Sequence, residues 1–195
     1  MPFADIYARY YNLLYKDKDY PAEFRYLNAI ISLSAASANS ILDLGCGTGK
    51  HLRCFQDAGY NVAGVDVSAA MLAAAQEQLG EGVDLINAKI SEFYTDKKFN
   101  VITSLFHVMS YQADTAELAK VLANVAEHLA DGGLFIFDFW YGPAVLTDLP
   151  AVRIKRLADE EIKITRITEP VMRYNENIVE VNFELLIEPK TGGGA

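Results

Sequence analysis

A short apolar run, Ile41-Leu42-Asp43-Leu44, passes directly into Gly45-Cys46-Gly47-Thr48-Gly49, and the next apolar run, Asn61–Asp66, ends on an acid 21 positions beyond Gly45. Strand, glycine turn, helix, then a second strand closing on a carboxylate is the order in which a parallel α/β sheet presents a nucleotide-like ligand. The glycines allow unusual backbone angles and close approach of the ligand to the main chain. An acid about 20 residues on is where a ribose-binding carboxylate belongs. Asp66 can accept hydrogen bonds from two vicinal hydroxyls; otherwise it is a solvated acid beside the helix that follows Ser68.

The rest of the chain continues the alternation. Ser40–Leu44, Asn61–Asp66, Asp84–Asn87, Asn100–Leu105 and Leu134–Phe139 have strand character. Between them, helical patterns run from the glycines to about Ala58, from the N-cap Ser68 through Leu79, and over Asp114–Leu129. In the last, Leu118, Val121, Leu122, Val125 and Leu129 share one face, and Asp131-Gly132-Gly133 is placed to end it. Residues 3–34 are expected to form two helices, with Tyr7, Tyr10, Tyr11 and Leu14 on the first and Pro21 in the first turn of the second, which runs through Ile31. After residue 150 the pattern becomes longer strands, Val152–Arg156, Glu161–Val171 and Ile178–Glu188, with a hairpin turn at Asn175-Glu176-Asn177. The expected fold is α/β: a Rossmann-like, doubly wound, mostly parallel sheet with helices on both faces and an added antiparallel β lid. The expected parts are an N-terminal helical lid (1–35), a ligand-binding Rossmann-like domain (36–150), an antiparallel extension (151–190) and a flexible tail (191–195).

Composition bounds what such a fold can serve. The chain has 195 residues, 51% hydrophobic and 22% charged, which suits one packed domain with a small appendage. Its formal net charge of −9 argues against nucleic acid as a partner, which calls for a basic surface. No apolar run reaches the roughly 18 residues of a membrane span, and the N-terminus lacks a basic signal-peptide region. Cys46 and Cys54 form neither a disulfide framework nor a metal-ligand spacing, and no cluster suggests a metal. A soluble protein of the reducing cytoplasm is expected.

The glycine spacing separates nucleotide classes. A dinucleotide fingerprint would place its third glycine at position 50, which is Lys50; here it is Gly49. A phosphate-binding P-loop would need Ser or Thr after Lys50, where His51 stands. The run Asp43–Gly49, with Gly64-Val65-Asp66-Val67-Ser68 and Met71-Leu72, resembles the class I S-adenosylmethionine-dependent methyltransferases across residues 40–139. Tyr10–Tyr15, Asp19-Tyr20 and Ser104–Tyr111 extend the likeness to small-molecule members, including sugar-amine N,N-dimethyltransferases of the desosamine and mycaminose type.

The resemblance implies S-adenosyl-L-methionine as cofactor and S-adenosyl-L-homocysteine as product. It implies that Asp43, Gly45, Cys46 and Gly47 form the loop around the methionine half. Asp66 would hold the ribose, with Val67 and Met71 on the adenine. Leu105 and Phe106 would lie beside the cofactor, with Tyr11 and Tyr20 near it and the active site. Tyr111, Trp140 and Tyr141 would line the acceptor pocket. At Lys89-Ile90 relatives often carry an acid that accepts from the adenine amino group. Lysine cannot accept a hydrogen bond, so adenine would need a backbone carbonyl or water there. The family pattern also continues with a helix and a final strand pair past the antiparallel segment, so the C-terminal part is expected to be truncated. The flank of the fifth strand would then be exposed or used in self-association, as in a homodimer.

His107 follows the fourth strand, on the carboxyl edge where doubly wound sheets bind ligands. It is a candidate base, alternatively a local hydrogen-bonding group that only shapes the pocket. Tyr11 and His107 are thus the catalytic candidates, while His51 and His128 fall on helices as structural or exposed residues. Trp140 and Tyr141 could stack on an acceptor or seal the core. Arg153, Lys155 and Arg156 suit a solvated strand edge more than an anionic-substrate site. The expected function is methyl transfer to N or O of a small-molecule acceptor. The alternatives are a non-catalytic or truncated cofactor-binding module and, less favoured by the glycine spacing, an NAD-dependent oxidoreductase.

Overall fold

Strands that are apolar on both faces belong inside a parallel sheet, and β1 (Ser40–Leu44) takes the central place. With β2 (Asn61–Asp66), β3 (Asp84–Asn87), β4 (Phe99–Ser104) and β5 (Leu129–Phe137) it forms a five-stranded sheet of order β3-β2-β1-β4-β5. All four pairings are parallel. The computed structural model describes residues 10–190. The expectations on Tyr7 and on the 191–195 tail lie outside the described residues.

Two compact units divide the chain. One runs through Asn12 and again over Asp17–Phe139; the other holds Leu13–Lys16 and the chain from Trp140 onward. In the first unit α1 (Tyr20–Ser34), α2 (Lys50–Asp57), α3 (Ala69–Leu79) and α4 (Thr115–His128) accompany the parallel sheet. Alternation along β1 sends successive residues to opposite faces. Leu42 and Leu44 join Ile102, Phe93, Val121 and Val125 in one cluster; Ile41 joins Val101, Phe55, Leu27 and Ile31 in another. Leu42 is fully buried, and truncating such a leucine to alanine costs about 2–5 kcal/mol. The helix starts are capped by Asp19, Ser68 and Asp114, whose side chains accept from Ala22, Met71 and Ala116 N–H groups.

The expected helix end at Asp131-Gly132-Gly133 is a strand bulge instead. β5 starts at Leu129, immediately after α4, and runs through these residues. Gly132 has φ +73°, and the β4–β5 register shifts between Phe99 and Val101. A Cβ on Gly133 would stand 2.8 Å from the Ala130 carbonyl oxygen. Helix caps and bulges both call for glycine, so residue type alone does not separate them.

The second unit carries a separate three-stranded antiparallel sheet, β6 (Arg153–Ala158), β7 (Ile162–Arg173) and β8 (Ile178–Pro189), in the order β6-β7-β8. Asn177 turns the β7–β8 hairpin with a left-handed φ of +54°. A short helix, α5 (Gly142–Thr147), precedes this sheet and was not apparent from periodicity. Register pairs Arg153 with Thr168 and Lys155 with Arg166, so these four share a face while Arg156 points the other way. Lys155 Nζ donates to the Leu14 carbonyl at 2.7 Å, and Arg166 donates to the Tyr15 hydroxyl at 3.0 Å. Among the described residues no helix is long and apolar enough to cross a membrane, and no cluster could hold a metal ion.

Candidate active site

The sheet order reverses at β1, which pairs with β2 on one side and β4 on the other. Open parallel sheets bind ligands at the carboxyl ends of the strands where such a reversal occurs. The glycine turn, Asp66 and the Leu105–Val108 segment all leave the sheet there.

Gly45, Gly47 and Gly49 hold φ values of +76°, +54° and +78°. Gly45 and Cys46 both donate to the Val65 carbonyl, at 2.7 and 3.0 Å, which folds the turn back over β2. Gly49 lets α2 approach α3: its Cβ would stand 3.2 Å from Ala75 Cβ. Gly47 has open space where a side chain would project, the form expected of a cradle for a ligand. The Cys46 side chain is buried with Leu52 and Leu72, and burial pushes its thiol far above the usual range. Only the Cys46 backbone is therefore available to a ligand.

Two carboxylates frame the turn. Asp66 Oδ2 accepts from Gly47 N–H at 2.9 Å and Oδ1 from Ser68 N–H at 2.8 Å, fixing the side chain at the end of β2. Burial raises its pKa, against the lowering effect of those backbone donors. Asp43 is buried, accepts from Thr103 Oγ1 at 2.7 Å, and is pushed up to about 6 by desolvation. A carboxylate in that position suits a ligand cation, which would offset its burial.

The other expected site residues divide. Val67 is 67% exposed beside Asp66, whereas Met71 is buried. Lys89 is exposed and paired with Glu92 at 3.0 Å. The Ile90 side chain belongs to the core, and its carbonyl accepts from Asn124 at 3.3 Å. Leu105 is buried with Leu27 and Ile41. Phe106 and His107 both take left-handed backbone angles, φ +64° and +66°. Tyr11 is half-buried in the helical residues 10–14, and Tyr20 opens α1. Tyr111 is 78% exposed on the 3-10 turn Val108–Tyr111. Trp140 and Tyr141 open the second unit, both exposed.

Two pairings had no local signature. His51, expected as structural or exposed, is buried, with Nε2 2.7 Å from Glu23 Oε2 and its ring 4.9 Å from that of Tyr20. Glu23 also pairs with Lys18, whose ammonium stands 4.4 Å from the Phe106 ring centroid. His107 N–H donates to Asp138 Oδ1 at 2.7 Å. His128 is buried too, with Nδ1 2.8 Å from the Asn124 carbonyl and its ring against Phe93, a structural role.

A doubly wound sheet with a three-glycine turn after β1, a backbone-held acid closing β2 and a buried carboxylate beneath the turn defines a nucleoside-cofactor-binding fold. These residues fit S-adenosylmethionine: a cradle at Gly47, an acid for a ribose, and a buried anion for an ammonium. The comparisons agree. A family model described as a methyltransferase domain matches residues 41–133. The dTDP-3-amino-3,4,6-trideoxy-alpha-D-glucopyranose N,N-dimethyltransferase of Streptomyces venezuelae is 31% identical over 182 residues, 92% of this chain and 74% of that protein. The dTDP-3-amino-3,6-dideoxy-alpha-D-glucopyranose N,N-dimethyltransferase of Streptomyces fradiae is 33% identical over 142 residues, 72% of this chain and 55% of that protein. The crystal structure of DesVI from Streptomyces venezuelae matches with a TM-score of 0.76 at 26% identity, covering 96% of this chain and 83% of that one. The chain belongs to the S-adenosylmethionine-dependent methyltransferases. It is an enzyme that transfers a methyl group from S-adenosylmethionine to a small-molecule acceptor.

Proposed function

We propose that the acceptor is the amino nitrogen of a nucleotide-linked amino sugar, methylated twice in succession. The observation that carries this reading is the 182-residue match to an amino-sugar N,N-dimethyltransferase, which extends well beyond the 41–133 methyltransferase core. The net charge of −9 supports a small metabolite rather than nucleic acid or a membrane surface.

When bound, the cofactor supplies a methyl group already activated for transfer. Asp66 would hold the ribose, Asp43 and the backbone of Gly45–Gly47 the methionine half, and Val67 with Met71 the adenine. The exposed Lys89 supplies no acceptor for the adenine amino group. Leu105, Phe106, Tyr11 and Tyr20 would wall the cofactor, and Tyr111 would contact the acceptor. Aligning the amine lone pair and excluding water supply much of the acceleration, up to about 7–11 kcal/mol in ideal cases. His107 would take the proton the amine must lose.

A cytoplasmic location belongs to the same reading and is supported by the free thiols Cys46 and Cys54. So does a homodimer formed through β5, one of the two edge strands of its sheet, because a strand edge pairs readily. Light scattering tests the dimer. Incubation of the purified chain with S-adenosylmethionine and a dTDP-amino sugar tests the function. Mono- and dimethylated sugar are expected by mass spectrometry; methylation of only hydroxyl-bearing sugars would overturn the reading.

A further inference from the structure

Two consecutive non-glycine residues in the left-handed region, Phe106 and His107, need a restraint, because each such residue costs about 1–2 kcal/mol. Asp138 supplies one. Its Oδ1 accepts the His107 backbone N–H at 2.7 Å. Its own N–H donates to the Ser104 carbonyl at 3.3 Å, continuing the β4–β5 ladder one residue beyond Phe137. The aspartate is thereby tied to the end of β4, two residues before Phe106. Its second oxygen, Oδ2, lies 3.9 Å from His107 Nδ1, within ion-pair range.

The geometry points to Asp138 as a positioning residue that sets both the backbone turn and the ring of His107. This rests on the reading of His107 as the group that receives the acceptor's proton. Oδ1 holds the turn. The negative charge at Oδ2 favours a proton on Nδ1 in the neutral ring, leaving the Nε2 lone pair as the base. As the acceptor N–H bond breaks and an Nε2–H bond forms, the ring becomes an imidazolium, and the Asp138 charge offsets it. The proton then passes to water, since the His107 side chain is 42% exposed. Charges at the same edge include Lys18, paired with Glu23 and seated on the Phe106 ring, the buried Asp43, and Asp66 at the end of β2.

Two substitutions separate the two oxygens' work. Asp138→Asn keeps a carbonyl oxygen for the His107 N–H but removes the charge. Asp138→Ala removes both. The first readout is the nuclear magnetic resonance signature of the His107 ring nitrogens in cofactor-free protein, which reports which nitrogen carries the proton and needs no turnover. Asp138→Asn is expected to move the proton of the neutral ring from Nδ1 toward Nε2, because the charge beside Nδ1 is gone. It is also expected to lower kcat about tenfold with the KM for S-adenosylmethionine unchanged, and Asp138→Ala to lower kcat further. An unchanged distribution of the proton between Nδ1 and Nε2 in Asp138→Asn overturns the proposal, as does wild-type kcat in Asp138→Ala. His107→Gln tests the underlying base role separately: full activity there sinks that role, whatever the ring spectrum shows.

Discussion

The Val108 side chain occupies the space a Cβ on Gly45 would need: its Cγ2 stands 2.6 Å from that position. The cofactor-side turn after β1 and the segment that carries Phe106 and His107 after β4 are therefore packed against each other through a missing methyl. Gly45→Ala meets this clash as well as its φ of +76°. A loss of about 2–4 kcal/mol in stability is expected from overpacking and strain together. Chemical denaturation measures it. Adding Val108→Ala should return the steric part and leave the backbone part, so partial recovery in the double variant is the expected outcome.

Asp66 is held by Gly47 and Ser68 before any ribose arrives, so its removal does two things. Asp66→Ala loses the carboxylate proposed to accept from the ribose hydroxyls and frees the Gly47 N–H that orders the turn. Hydrogen bonds to charged groups contribute about 1.5–3 kcal/mol each, so binding of S-adenosylhomocysteine should weaken by a factor on the order of 100 or more. Asp66→Asn retains one acceptor oxygen and should weaken it less. Calorimetric titration distinguishes the two variants, and equal affinities for Asp66→Ala and the wild type would remove Asp66 from the site.

Asp43, Gly45, Gly47 and Asp66 were legible in the sequence because the sheet order converts their sequence spacing directly into position. Each strand of the parallel sheet ends at the same edge, so strand-end residues meet whenever the strands are adjacent. Glu23–His51 and Asp138–His107 were not legible. Their partners lie 28 and 31 positions apart, and neither pair repeats at a helical or strand period. They meet only because α1 packs on α2 and β5 pairs with β4. Gly132 was misassigned for a different reason: a positive φ serves a helix cap and a strand bulge alike, and only the β4–β5 register shift tells them apart.

The buried Asp43 carboxyl gives the cofactor-free protein an inverted pH response. Desolvation raises its pKa from 3.8 to about 6 in the folded chain. Between those values the folded state holds a proton that the unfolded state has released, so stability falls as pH rises through this window. The full effect approaches about 3 kcal/mol. Comparing the wild type with Asp43→Asn by thermal unfolding from pH 7 to pH 5 isolates it: the wild type should gain relative to the variant as pH falls. Cofactor affinity should move the other way, weakening below about pH 6 as the carboxylate that would face the ammonium is neutralised.

Glu23 has the opposite sign. Hydrogen bonding from His51, then from Lys18, holds its carboxyl at about 2, below the ordinary 4.5. Its contribution to stability is complete above pH 4.5 and is lost as pH falls toward 2. The Glu23 side chain is 45% exposed, so solvent screening reduces the effect to about 1 kcal/mol. Glu23→Gln should lower the melting temperature by a few degrees at pH 7 and have little effect near pH 2. Its functional consequence should exceed that stability change, because Lys18 is steered by Glu23 onto the Phe106 ring and His51 sits in the first turn of the helix that follows the glycines. Weaker S-adenosylmethionine binding in a Glu23→Gln protein that is still fully folded at the assay temperature is the expected result, read by calorimetric titration. Unchanged affinity would confine the Lys18–Glu23–His51 network to joining α1 and α2.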